Sequence, residues 1–440
     1  MLPAPLTASG RDLSCGAVMT VTTSPGDAPI VALERTTSAI ASARRATLAE
    51  RYAANSLTAE WVSFAELAPL TTQWRELAGR ALEPNVFYEP AFALEAAKVF
   101  GRDIGAVLVW SGTSPRELLG FFPAQIEPRR YGFKLPVMVG WTHPYAPLGT
   151  PLVEREAAEP VIAAWLAFLG ENLDMPELLL WPFLPMDGPF AGPLNAILRR
   201  AQLRFADFNC HGLALFAPRA DERSSYLERA LGRRKYKELR RQGRRLGEIG
   251  ALLFTTKTLP AAVATGIEDF FAIEARGWKG KAGTASADRD DIRQFFKTAM
   301  VELAAERKVL VSRLYLAGRP IAAAITLRSA DTAWFWKIAY DEDFRRYSPG
   351  VMLTAAVTEE LADDITIARV DSCATANHPM IDHIWRERLA LGDRLVELRP
   401  GARFTRARRL ELVRRAAIAA AKELRARLQR IAGPKRTLGV

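Results

Sequence analysis

Three short apolar segments, Val309–Ala317, Arg319–Arg328 and Thr332–Ala339, follow one another almost without interruption. Each has the length of a strand and is bounded by turn residues. Ala317-Gly318-Arg319 is a turn so compact that the first two segments must be antiparallel neighbours, because a parallel pair needs a crossover of about a dozen residues. What flanks this block sets the class. Upstream lie a strand, Ala251–Thr256, and helices over Pro260–Gly277 and Asp288–Glu306. The second helix carries Ile292, Phe295, Phe296, Ala299 and Leu303 at helical spacing. Downstream, the pattern predicts a helix from near Ser348 to near Ala362, a strand over Thr366–Asp371, a helix around Pro379–Arg388 and a strand over Arg394–Leu398. A basic helical stretch, Ser224–Leu246, opens this unit, which runs from about Asp221 to Arg399. The order predicts an α/β (α+β) unit with a mixed sheet.

A chain of 440 residues has room for a second such unit. From about Trp61 to Phe216 the strand candidates are Ile104–Trp110, Leu118–Ile126 and Leu178–Trp181. The helix candidates are Pro69–Ala78, Ala157–Leu169 and Pro189–Ala201, and Tyr131–Val153 reads as loop with strand fragments. Both units share a plan of helices followed by a small sheet, which fits a duplicated domain. The expected division is a leader over 1–55, units over 56–216 and 217–400, and a basic helix and tail over 401–440. The leader is rich in Ala, Ser, Thr and Pro and is expected to be disordered, with a short helix near Arg44–Tyr52.

The net charge of +11 is concentrated in two places. Residues 401–440 carry +10 and residues 219–250 carry +6, which leaves the rest at −5. Nucleic acid, an anionic membrane face and an anionic small molecule are the partner classes such segments raise. Arg233, Arg234, Lys235, Lys237, Arg240, Arg241, Arg244 and Arg245 crowd one helical stretch that can track RNA or DNA phosphates. In the final helix Leu410, Val413, Ala417, Ala420, Leu424, Leu428 and Ile431 form one apolar stripe, with arginines on the other faces. That stripe suits either an anionic inner leaflet or packing on the second unit. Cys15, Cys210 and Cys373 are too few and scattered for a disulfide framework, so a reducing, cytoplasmic setting is expected. No metal is expected: the mixed set Asp371, Cys373, His378 and His383 lacks specific ligand spacing. No apolar run approaches a bilayer span.

Two strings narrow the reading: Glu274-Ala-Arg-Gly-Trp278-Lys-Gly280, and Lys337-Ile-Ala-Tyr340-Asp341-Glu-Asp-Phe-Arg345-Arg-Tyr347-Ser348-Pro-Gly350. Together with the element order, they resemble the GNAT-related acetyltransferase domain of the CelD/BcsL type, a relative of the FemAB peptidyltransferases with their two GNAT-like halves. The resemblance covers about Gly212–Leu398 and extends more weakly over the first unit. It implies two GNAT-like mixed-sheet domains in tandem, with acetyl-CoA as acyl donor and an amine or hydroxyl acceptor. It also implies a link to exopolysaccharide or cell-envelope synthesis.

The residues admit that chemistry. Ser348 can cap a helix, Pro349 suits its first position, and Gly350 allows close approach to the backbone. With Arg345 and Arg346 upstream, the free amides of such a terminus make an anion site. Ile267, Phe271, Glu274 and Trp278 share one helical stripe, so Glu274 faces inward, either as a general base or as an anchor for the loop that follows. Trp278 and Lys279 are candidates for an acceptor pocket, as is His143 in its Pro-rich loop. His378 or His383 can act as a base near neutral pH, with Asp371 orienting a histidine or binding the acceptor amine, and Cys373 is a possible nucleophile. A tyrosine placed like Tyr340 or Tyr347 often protonates the leaving thiolate in the GNAT enzymes this chain resembles. Two further readings stay open: an aminoacyl-tRNA-dependent FemAB-like transferase, and a non-catalytic binding protein docked at the inner membrane.

Overall fold

A computed structural model describes residues 57–431, apart from 113, 278, 279, 281, 282, 284 and 285. The expected leader, its short helix near Arg44–Tyr52, and the end of the basic tail lie outside the described residues.

The elements run in chain order as follows: β1 (Thr58–Ser63), α1 (Thr71–Arg80), α2 (Pro90–Phe100), β2 (Ile104–Trp110), β3 (Leu118–Glu127), β4 (Val137–Gly140), β5 (Leu152–Val153), α3 (Ala158–Glu171), β6 (Leu178–Pro185), α4 (Ala191–Arg200), β7 (Phe205–Phe216), α5 (Tyr226–Gly247), β8 (Leu252–Lys257), α6 (Pro260–Arg276), α7 (Asp290–Ala305), β9 (Val309–Leu316), β10 (Arg319–Ser329), β11 (Thr332–Tyr340), α8 (Pro349–Asp363), β12 (Arg369–Asp371), β13 (Glu387–Glu397) and α9 (Arg403–Ile431). The fold is mixed α/β. The β9–β10–β11 block pairs antiparallel in register, with Ala323 opposite both Arg313 and Ala339.

All the strands among the described residues belong to one sheet of order β1-β2-β3-β4-β6-β13-β7-β12-β11-β10-β9-β8, with β5 added to β3. The centre of that order was not legible beforehand. β13, the last strand among the described residues, lies antiparallel between β6 and β7, about 200 residues before it in the chain.

Alternation along β11 sorts its side chains between two cores. Trp334 and Trp336 join the core under α2, α6 and α7, while Phe335 joins the one under α5 and α8. The expected helix around Pro379–Arg388 is not formed. Its residues make a short 3-10 turn, Ile381–His383, and then enter β13 at Glu387. Pairing of Glu387–Leu391 with β7, together with burial of Ile384 and Trp385, outweighs local helical preference.

The final helix also departs from one expectation. It docks through Phe404, Ala407 and Glu411, all buried, whereas Val413 and Leu424 of the apolar stripe are 66% and 59% exposed.

Candidate functional site

β11 and β12 run parallel but pair only at Thr332–Arg369, Ala333–Val370 and Trp334–Asp371. β12 ends there, while β11 continues to Tyr340. The chain leaving β12 turns away at once. The Asp371 carboxylate accepts the Cys373 amide at 2.8 Å, the Ser372 amide donates to Ala214, and Cys373 has φ of 50°. The two strands therefore part like a wedge, and the N-terminus of α8 stands at the opening. The resulting cleft has a volume of about 640 Å³. Trp336, Lys337 and Tyr340 lie along one wall, Cys373 and His378 along the other, and Arg345, Ser348 and Gly350 beside the helix end.

Pro349 is the first residue of α8, where its missing N–H costs nothing. The first intrahelical bond runs from the Met352 amide to the Ser348 carbonyl, at 3.0 Å, so the amides of Gly350 and Val351 precede the helical ladder. Ser348 does not cap the helix through its hydroxyl, contrary to expectation. Its backbone is left-handed (φ 54°, ψ 52°), whereas a capping side chain needs an extended residue. Gly350 does permit a close approach, by Tyr340: a methyl on Gly350 would stand 3.0 Å from the Tyr340 ring. Tyr340 itself is 39% exposed. Arg345 lines the cleft. Arg346 does not, because its guanidinium lies over the Tyr347 ring at 4.7 Å.

The two histidines separate. His378 is on the cleft wall, where its Nδ1 accepts the amides of Met380 and Ile381 at 3.3 and 3.4 Å. A neutral ring held this way carries its proton on Nε2 and presents a donor rather than a base. His383 lines an adjoining cleft of about 530 Å³, together with Arg234, Lys235 and Glu238 of α5. The two clefts meet at Ser348, Val351, Pro379 and Met380.

Asp371 sits one residue before the cleft wall, buried beside Glu83 and Arg369. Desolvation pushes its carboxyl up to about 6. Burial, with Asp371 adding to it, raises the Cys373 thiol well above its ordinary value, so Cys373 is a neutral thiol and not an activated nucleophile. Among the described residues no three His, Cys, Asp or Glu side chains gather as metal ligands.

Glu274 is buried on α6, and its carboxylate accepts the Ser286 amide at 2.7 Å, which ties down the loop after the helix. Trp278 and Lys279 lie outside the described residues. His143 is stacked on Phe100 with ring centres 4.4 Å apart. Desolvation, with Lys337 adding to it, drops its pKa to about 3, which makes it a neutral core group. Lys337 is the residue that sequence reading left without a role. It lines the cleft with its ammonium 4.3 Å from the centre of the Tyr145 ring. The signal was present, since Lys337 is the sole charge within the otherwise apolar strand Thr332–Tyr340.

The sequence model of the acetyltransferase (GNAT) domain matches residues 233–378, which include β11, α8, β12 and most of the residues that line the first cleft. No curated protein matches the chain. Among solved structures, FemX aligns with a TM-score of 0.51 at 10% identity, covering 74% of this chain and 95% of FemX. The C-terminal DUF2156 domain of a lysylphosphatidylglycerol synthetase from Agrobacterium fabrum aligns at 0.48 and 13% identity, over 79% of this chain and 96% of that one. A tandem GNAT protein from the clavulanic acid biosynthesis pathway aligns at 0.39 and 13% identity, over 79% and 100%. Residues 233–378 thus carry the pattern of a GNAT acetyltransferase domain, and the chain shares its fold with FemX.

Proposed function

We propose that the wedge between β11 and β12 takes an acyl thioester, most simply acetyl-CoA, and that the protein transfers the acyl group to an amine or hydroxyl acceptor. The parting of the strands at Trp334 and Asp371, next to the free amides of α8 and inside the segment matched by the acetyltransferase domain, carries this reading. The residues present suit such a donor. Apolar walls from Phe335, Ile338 and Met380 can accept its arm, while the amides of Gly350 and Val351 with Arg345 suit its pyrophosphate. When bound, the donor supplies an activated carbonyl. Tyr340, packed on Gly350 beside the helix end, borders the pyrophosphate, and Lys337, three residues earlier on β11, lines the wedge on the side of the activated carbonyl. Glu274 acts as a positioning residue, holding the Ser286 amide. The division into units over 56–216 and 217–400, a CelD/BcsL-type role in envelope or exopolysaccharide synthesis, and a cytoplasmic location belong to the same reading.

One feature favours a second donor class. Arg234 and Lys235 line the cleft that adjoins the first, a placement that suits the phosphates of an aminoacyl-tRNA. Calorimetry or thermal shift with acetyl-CoA separates the two. The proposal expects saturable stabilisation that is lost in Arg345→Ala. No stabilisation at millimolar acetyl-CoA, with salt-sensitive tRNA binding instead, transfers the reading to the second donor.

A further inference from the structure

α9 leaves the body after its fourth turn. Phe404, Ala407 and Glu411 are buried, and Arg415 is tied to Asp393 at 2.7 Å and to Glu411 at 2.6 Å. From Ala416 onward every described side chain of the helix is exposed. Arg406, Val413, Ala417, Ala420 and Leu424 recur at whole helical turns, so they lie along one line. That line does not face the body, since Val413 and Leu424 are 66% and 59% exposed. Arg409 lies on one side of it and Arg414 on the other, both exposed.

A second element extends the same line. The β3–β4 connection closes through reciprocal hydrogen bonds of 3.0 Å between Arg130 and Phe133. Tyr131 and Gly132, with φ of 56° and 78°, form the two-residue turn that twists with its strands. This rigid tip presents Phe133, 44% exposed, flanked by exposed Arg129 and Lys134. The Arg406 guanidinium lies over the Phe133 ring at 4.8 Å, which places the hairpin tip at the start of the helical line.

We propose that α9 and the Phe133 hairpin tip together form a docking surface for an anionic lipid bilayer, with the helix lying in the interface plane. Residues 403–431 hold ten Lys/Arg against two acids. A second copy would set this charge against itself, and the Ala-rich line offers little area to offset the repulsion. RNA would satisfy the arginines and leave Phe133, Val413 and Leu424 in water. An anionic membrane meets both needs, because arginines reach headgroups while the aliphatic line and the aromatic tip enter the acyl boundary. Among the described residues no helix is long and apolar enough to cross a membrane, so the helix lies on the surface.

Flotation of the full-length protein with vesicles tests this. Binding is expected to phosphatidylcholine vesicles containing phosphatidylglycerol, and not to phosphatidylcholine alone, and it should fall as salt rises. Val413→Asp with Leu424→Asp, both at exposed positions, should weaken binding by roughly 30-fold or more, since each new charge opposes the surface. Phe133→Ser should weaken it several-fold while circular dichroism stays unchanged, which keeps the test valid if the double variant perturbs the helix. The proposal is overturned if the wild-type protein ignores phosphatidylglycerol or if the variants bind equally well. It also fails if sedimentation shows a dimer that the double variant dissolves, or if salt-sensitive RNA binding appears without any vesicle binding.

Discussion

Asp371 shows how one residue couples the fold to pH. Its carboxyl is buried and accepts the Cys373 amide, and its pKa rises from 3.8 to about 6. Between these values the folded state keeps a proton that the unfolded chain has lost. Stability from this group therefore falls as pH rises from about 4 to 6, by up to about 3 kcal/mol, and stays low above that window. Asp371→Asn keeps an oxygen for the Cys373 amide and cannot ionise. Urea unfolding should show the variant more stable than wild type at pH 8, with the difference vanishing near pH 4. A variant less stable at pH 8 would mean that the Arg369 charge outweighs desolvation. Among single residues, Tyr340, Arg345, Ser348 and Gly350 were legible as a group because they lie in one string of the chain, whereas His378 reaches the same cleft only through the fold. Lys337 was overlooked because its partner, Tyr145, is distant in sequence.

At the scale of elements, α8 is the part that presents free amides to the cleft, and its far end is held by one side chain. Arg223 donates to the carbonyls of Leu361, Ala362, Asp364 and Ile367 at 2.7–3.1 Å. These are the orphan carbonyls of a helix end and of the loop that follows it. Arg223→Ala should cost about 2–3 kcal/mol in stability, because charge-assisted bonds to part-buried carbonyls are lost together. Arg223→Lys should recover only part of that loss, since one ammonium cannot span four acceptors. Thermal unfolding of the two variants measures the order. A loss below about 0.5 kcal/mol for the alanine variant would show that water replaces the guanidinium without cost. Periodicity located most elements, β2 to the residue and α6 within one. It failed for Pro379–Arg388, where a helical pattern lost to pairing with β7 and to burial of Ile384 and Trp385.

At the scale of the molecule, β13 binds the second half of the chain to the first. It lies between β6 and β7, and Arg394 within it pairs with Asp207 at 2.7 Å. Deletion of residues 387–440 should therefore unfold the β6–β7 region as well as the later strands, so that calorimetry shows no residual native transition. The intact protein should unfold in one cooperative step. A stable fragment over 57–216 would contradict this. The chain by itself determined the local alphabet: the β9–β10–β11 hairpins, the helix beginning at Pro349, the apolar stripe of α9, and the confinement of positive charge to two segments. Those features rest on turn chemistry and periodicity, which act over a few residues. The insertion of β13, the parting of β11 from β12, the separation of His378 from His383 and the exposure of the α9 stripe were decided only by tertiary structure. Each depends on which distant backbone edges and apolar faces are still unpaired when the sheet closes, and no local pattern records that competition.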